Sequence, residues 1–184
     1  INTTTLTPTG THIPGETARS PLDYATLYPR VLRESLDDYD LIHATQGVIA
    51  PLALAQPIRP VVLSLWGTDL FGRLAPLSKW CARQATAVVV MSEEMEHSLN
   101  VDAAVVPHGV DLTQFKPRDQ SLARAELGWQ HDTAYVLFPA HPARPVKNYP
   151  RAERVVAATR DRLTDPVALE VLDGVPHEAV SRYM

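Results

Sequence analysis

The chain of 184 residues has 17 Lys and Arg against 21 Asp and Glu, a formal charge of -4, with 45% hydrophobic and 21% charged residues. That length suits one ordinary domain or two small ones, and the composition excludes collagen-like, coiled-coil and wholly disordered chains. No basic excess is present to neutralise a phosphate backbone, so nucleic acid is not expected as a partner, and the single cysteine, Cys81, rules out an internal disulfide and points to a reducing compartment.

Residues 1–20 are rich in Thr, Pro and Gly without periodicity and read as a surface loop. Over 21–36, Leu22, Ala25, Leu27, Tyr28, Val31, Leu32 and Leu36 recur near helical spacing, with Pro29 kinking or restarting the helix. Short apolar runs then alternate with amphipathic stretches. Strands are predicted over 40–44, 60–66, 87–91 and 103–107, and helices over 48–55 and 73–85. Ser92 reads as an N-cap with Glu93 and Glu94 in the first turn of another helix. A second series follows the turn residues of 109–118: a helix from a Ser121 cap to near Gly128, a strand over 135–140, a helix over 149–163 and a strand over 167–172. In the long helix Ala152, Val155, Val156, Thr159 and Leu163 are expected to form one apolar stripe. Strands this uniformly apolar, separated by helices, want cover on both faces, which predicts an α/β fold with parallel sheets and a division near residues 111–118.

The common chemical signatures are missing: no Gly-x-Gly-x-x-Gly, Walker A loop, His-Glu-x-x-His or Cys-x-x-Cys occurs. Ser92 lacks the glycines of a nucleophile elbow, and capping accounts for it. His12, His97 and His131 fall in loops or on polar faces and are read as background. What remains is a series of polar residues at the carboxyl ends of predicted strands: His43; Trp66, Gly67, Thr68 and Asp69; Ser92 and Glu93; and His108, Gly109 and Asp111. In an open parallel sheet the ligand crevice lies outside those ends. The apolar runs, such as 85–91, are too short to span a bilayer, and the opening Ile-Asn-Thr-Thr-Thr lacks a signal-peptide pattern.

The order of these blocks carries a resemblance. Asp-Leu-Ile-His-Ala over 40–44, Val-Val-Leu-Ser-Leu-Trp-Gly-Thr-Asp over 61–69, Val-Val-Val-Met-Ser over 88–92 and Val-Val-Pro-His-Gly-Val-Asp-Leu-Thr-Gln-Phe-Lys-Pro over 105–117 resemble the central blocks of family-4, GT-B-fold glycosyltransferases. The last is the most specific, since members commonly carry Pro-Asn-Gly-Val-Asp and then Phe-x-Pro where two Rossmann-like domains join. Arg-Ala-Glu-Leu-Gly over 124–128, Lys147-Asn148 and Gly-Val-Pro-His-Glu over 174–178 are similar to the opening of that family's nucleotide-sugar domain. The resemblance runs from residue 40 to residue 184.

It implies two Rossmann-like domains of GT-B type, both incomplete: residues 1–115 as the latter part of an acceptor-side domain and 116–184 as the start of a nucleotide-sugar domain. It further implies a hexosyltransferase-type enzyme moving a sugar with retention from a nucleotide-sugar donor to a glycan, lipid carrier or small molecule. Lys147, with Arg144, would meet the donor diphosphate, where cationic groups stabilise the departing charge. His43, Trp66, Gly67, Thr68, Asp69, Ser92, Glu93, His108 and Gly109 would line the acceptor side, and the catalytic residue stays unassigned. No metal and no cofactor are implied, the nucleotide-sugar being a substrate. The implied location is cytoplasmic, with peripheral contact at the inner membrane face through segments outside this chain. Three positions depart from the pattern: Trp66 stands at a usual His, Pro142 at a usual Arg, and His108 at a usual Asn. Because the family's glycine-rich loop and paired-glutamate segment are not in this sequence, these residues alone are expected to be inactive. A non-catalytic sugar or nucleotide binder and a sugar-nucleotide epimerase of the same fold are the alternatives.

Overall fold

The computed structural model describes residues 1–10 and 19–184. The chain is α/β with parallel sheets and divides into two compact units, Ile1–Gly109 and Val110–Met184. The division falls ahead of the expected position after residue 115. Its physical reason is local: Phe115 packs edge-on to His177 at 5.3 Å and Gln114 Nε2 donates to the His177 carbonyl at 3.0 Å, which ties residues 114–115 to the second unit.

The first unit begins with α1 (Pro21–Ala25) and α2 (Tyr28–Glu34). A capping box starts α1, the Ser20 hydroxyl accepting from Asp23 N and the Asp23 carboxylate accepting from Ser20 N at 2.7 Å. Donation from Ser20 N and from the Ser20 hydroxyl at 2.8 Å holds the Asp23 carboxyl below its ordinary value. Pro29 restarts the helix, as expected, because it suits the first turn and not the interior. Leu27 and Val31 are buried while Leu22 and Leu36 stand exposed, so only the middle of the predicted apolar face is used. His12 and the loop expected around it lie outside the described residues.

Four parallel strands follow, β1 (Ile42–Ala44), β2 (Val61–Ser64), β3 (Ala87–Val90) and β4 (Ala104–Val105), paired in that order. Between them run α3 (Ala50–Leu54), α4 (Gly67–Phe71), α5 (Ala75–Ala82) and α6 (Glu93–Leu99). The core lies against the two central strands, where Leu63, Leu65, Val90, Cys81 and Leu99 are fully buried. α6 starts on Ser92, whose hydroxyl accepts from Met95 N, and stops at Asn100 in the left-handed region, as its capping chemistry dictates.

Burial pushes the Cys81 thiol up from its ordinary value. The native state therefore favours the protonated thiol, and the stability this contributes is lost as pH rises past the ordinary thiol pKa, where the unfolded chain ionises first. Alkylation of Cys81 by iodoacetamide is expected to track global unfolding at neutral pH; fast labelling of the folded protein would contradict this packing.

The second unit holds α7 (Gln120–Leu127), β5 (Ala134–Phe138), a 3-10 turn (Pro145–Lys147), α8 (Tyr149–Arg160), β6 (Val167–Val171) and α9 (His177–Val180). β5 and β6 pair in parallel through five register positions, from Ala134 opposite Val167 to Phe138 opposite Val171. The N-cap of α7 is Asp119, not Ser121: its carboxylate accepts from Leu122 N at 2.9 Å, and Gly128 closes the helix at φ +68°. The expected stripe on α8 is also narrower than its sequence suggests. Val156 is buried, but Val155 is 55% exposed and Leu163 lies beyond the helix end, because a two-stranded sheet presents only a narrow surface to cover.

Candidate functional site

In the first unit an all-parallel sheet collects the ends of its strands at one edge, and the polar residues singled out from the sequence fall there. His43 lies on β1 and its Nε2 shares a 2.8 Å hydrogen bond with the Ser64 hydroxyl at the end of β2. Trp66 stands at the N-cap of α4, where its backbone N donates to the Asp69 carboxylate at 3.0 Å. Asp69 is therefore partly committed to holding the helix start. The Trp66 indole N donates to the Thr45 carbonyl after β1 at 2.5 Å, and the ring stacks on His108 after β4 at 4.5 Å between centroids and 20° between planes. One indole thus links residues following three strands.

Gly67, Thr68 and Gly109 are exposed beside this group, and a Cβ added at Gly67 or Gly109 would meet nothing. These two glycines leave open space at the edge. Ser92 is spent on capping α6, as its position suggested, and Glu93 is exposed in the first turn. The structure brings together Trp66, Asp69 and His108 with Thr45, and separately His43 with Ser64. Ser92 and Glu93 bond within their own helix or not at all.

A cavity of about 600 Å³ opens beside β1, floored by Leu27, Val31, Ala44 and Ala53 and reaching His43 and Thr45. Glu34, Asp38 and Asp40 stand at its wall. Three carboxylates among its lining residues disfavour a phosphate there.

The second unit has its own carboxyl edge. Chain leaving β5 passes through His141 and Arg144 into the 3-10 turn that ends on Lys147, and chain leaving β6 passes through Asp173 to Gly174 at φ +68°. Lys147 is exposed and Arg144 half-buried. Asn148 follows in the left-handed region and α8 begins there without a side-chain cap. Among the described residues Arg118 forms an ion pair with Glu126 at 3.0 Å and His141 Nε2 lies 3.6 Å from the Asp173 carboxylate, and Lys147 takes part in neither contact.

His141 and Asp173 were not singled out from the sequence. The signal was present, since both follow predicted strands, and the strand-end rule applied to the first series finds them in the second. The His141 ring is oriented from both sides: Nδ1 accepts from Ala143 N at 3.1 Å, which leaves Nε2 as the N-H that faces Asp173. The Asp111 carboxylate accepts from the Thr113 hydroxyl at 2.6 Å and from Thr113 N at 2.8 Å, which holds the Asp111 carboxyl below its ordinary value. Both bonds fall on Oδ1, so that oxygen closes a turn.

No protein-family model matches this chain, and no curated protein matches it significantly. The chemistry of the two edges therefore stands on geometry alone. The first presents an aromatic and imidazole surface with one half-engaged carboxylate; the second presents an ammonium, a guanidinium and a carboxylate-oriented imidazole. Among the described residues there is no group of three His, Cys, Asp or Glu side chains disposed to hold a metal ion. No helix among them is long and apolar enough to cross a membrane.

Proposed function

We propose that the chain belongs to a glycosyltransferase of GT-B type that transfers a hexosyl group with retention from a nucleotide-sugar donor to a glycan, lipid-linked or small-molecule acceptor. The observation that carries this reading is the position of Lys147, exposed and outside the ion pairs among the described residues, at the carboxyl edge of the second unit's parallel sheet. A diphosphate leaving group concentrates negative charge as the glycosidic bond breaks, and an ammonium with a guanidinium nearby is the chemistry that receives it. Arg144 stands three residues earlier in place of an arginine at the Pro142 position. The acceptor would lie against the Trp66, Gly67, Thr68, Asp69, His108 and Gly109 surface, where a flat ring can stack on a sugar face.

The test is titration of uridine and guanosine diphosphates into the wild-type chain and its Lys147→Ala variant, followed by calorimetry. Loss of one charge-assisted contact is expected to weaken binding about tenfold or more, while Lys116→Ala, which removes another exposed lysine, leaves affinity unchanged. Equal affinity for wild type and Lys147→Ala would remove the assignment.

The Trp66 and His108 stack favours a second reading, a sugar or nucleotide binder that has lost transfer chemistry. An indole fixed by the Thr45 carbonyl cannot take up a proton as a base does. Labelled donor separates the readings when it is given to a longer polypeptide that carries this chain together with a glycine-rich loop and a paired-glutamate segment, since transfer or epimerisation gives a new labelled product and a binder returns the donor intact.

A further inference from the structure

The cavity beside β1 has no part in the transfer proposed above. At about 600 Å³ it falls among small-molecule sites, whose walls are mostly apolar with a few fixed polar groups. One wall comes from α2, where Leu27, Val31 and Glu34 recur at helical spacing, so Glu34 projects from the same helix face as two buried core residues. Ala44 of β1 and Ala53 of α3 complete the floor with side chains too small to fill the space. Residues 1–6 also line it, and the Thr4 hydroxyl is bonded to the Tyr39 hydroxyl after α2. Water over such a floor finds few partners, which favours an occupant with an apolar body.

The charge of the lining has mainly one sign. Glu34, Asp38 and Asp40 belong to it, and no Lys or Arg side chain does. The cations on neighbouring elements are directed elsewhere: Arg59 bonds the carbonyls of Ser35 and Asp37, Arg30 bonds the Thr7 carbonyl at 3.1 Å, and Arg33 is exposed. His43 also lines the cavity, with its Nε2 on the Ser64 hydroxyl, and the Ile1 amine, the one fixed positive charge in the lining, is fully exposed and screened by solvent. Glu34 is half-buried and takes part in no ion pair among the described residues. A carboxylate brought toward apolar walls without a counter-charge is stabilised by a cation that enters beside it.

We infer that this cavity binds a small organic cation, an ammonium group carried on an apolar body, with the body over Val31, Ala44 and Ala53 and the head at Glu34. A bare metal ion does not suit it, because among the described residues no three His, Cys, Asp or Glu side chains are disposed to hold one. Diphosphate binding at Lys147 does not enter the test, so the two readings fail separately.

Three probes that share one body separate the charge from the space: phenylbutylamine, phenylbutanol and phenylbutyrate, each titrated into the wild-type chain by calorimetry at low salt. The amine is expected to bind about tenfold more tightly than the alcohol, and the acid more weakly than either. Glu34→Gln is expected to lower amine affinity about tenfold and to leave the alcohol unchanged, while Asp37→Asn, outside the lining, changes neither. Filling the space with Leu52→Trp, or with Thr5→Trp at an exposed lining position, is expected to weaken amine and alcohol together. Circular dichroism confirms that each variant is folded. Equal affinity for the three probes, preference for the acid, or amine binding unchanged by Glu34→Gln or by both tryptophan substitutions overturns the inference. Self-association of the free chain that Leu52→Trp abolishes also overturns it, by giving the cavity to a second copy.

Discussion

Replacing Gln56 with methionine is expected to cost the first unit about 3 kcal/mol and to lower its melting midpoint by roughly 10 °C or more, measured by thermal circular dichroism. Gln56 is buried, and its amide closes the turn from α3 to β2 completely. Nε2 donates to the carbonyls of Ala53 at 3.1 Å and Arg59 at 2.8 Å. Oε1 accepts from the backbone N of Ile58 at 2.8 Å and of Arg59 at 2.7 Å. Methionine matches the volume but satisfies none of these four groups, of which the Ala53 carbonyl is in a buried bond and the other three in partly buried ones, and such groups left without a partner are costly. Glutamate keeps an acceptor for the two N-H groups and loses both donors, so Gln56→Glu is expected to fall between. The Arg59 guanidinium extends the same junction, bonding the carbonyls of Ser35 at 3.0 Å and Asp37 at 2.6 Å after α2. A loss under about 1 kcal/mol for Gln56→Met would mean that water replaces the side chain and that the turn does not depend on it.

Gly47→Ala is expected to destabilise the same unit by about 2 to 3 kcal/mol, for a steric reason. Gly47 is buried just after β1, and a Cβ placed there would lie 2.2 Å from the Ser78 hydroxyl oxygen and 3.2 Å from Asp69 Cβ. Ser78 is fully buried on α5, and its hydroxyl oxygen has no hydrogen-bond partner among the described residues. Ser78→Ala alone removes an unpartnered buried hydroxyl and is expected to be neutral or to stabilise by about 1 kcal/mol. The double variant relieves the worst contact but keeps the approach to Ser78 Cβ at 3.0 Å, so it recovers part of the loss. Chemical denaturation of the four proteins gives the coupling; simple additivity would show that the loop moves away instead. Because Thr45 and Asp69 both contact Trp66, a shifted Gly47 loop is expected to disturb the Trp66 and His108 stack as well.

The alternation that gives the parallel sheets was legible because in a run such as Val88–Val90 on β3 successive apolar side chains point to opposite faces and ask for cover on both, with Val88 and Val90 buried on one face and Val89 half-buried on the other. The N-cap of α6 was legible for a similar reason, since Ser92 acts within three residues of itself. α4 was not: Gly67, Thr68 and Asp69 read as turn residues, and only the reach of Asp69 back to Trp66 N converts them into a helix start. Ser121 and Asp119 are both good caps, and sequence spacing alone did not decide which side chain reaches an open N-H. At the candidate site the residue types at strand ends could be picked out, but their associations could not. The stack of Trp66 on His108 joins positions far apart in sequence and depends on β2 and β4 being aligned in one sheet. His141 and Asp173 meet for the same reason, through the register of β5 with β6.

The thinness of the β5 and β6 pair has a consequence for ligand binding. Two strands with one helix across them bury few side chains, here Phe138, Val156 and Val167, and small apolar interiors hold their backbone amides only weakly against local opening. A ligand that fastens the turn carrying Lys147 would then do more than occupy a surface. By mass action it would supply a large share of the free energy that keeps this half of the chain closed, making order in the second unit a function of ligand concentration.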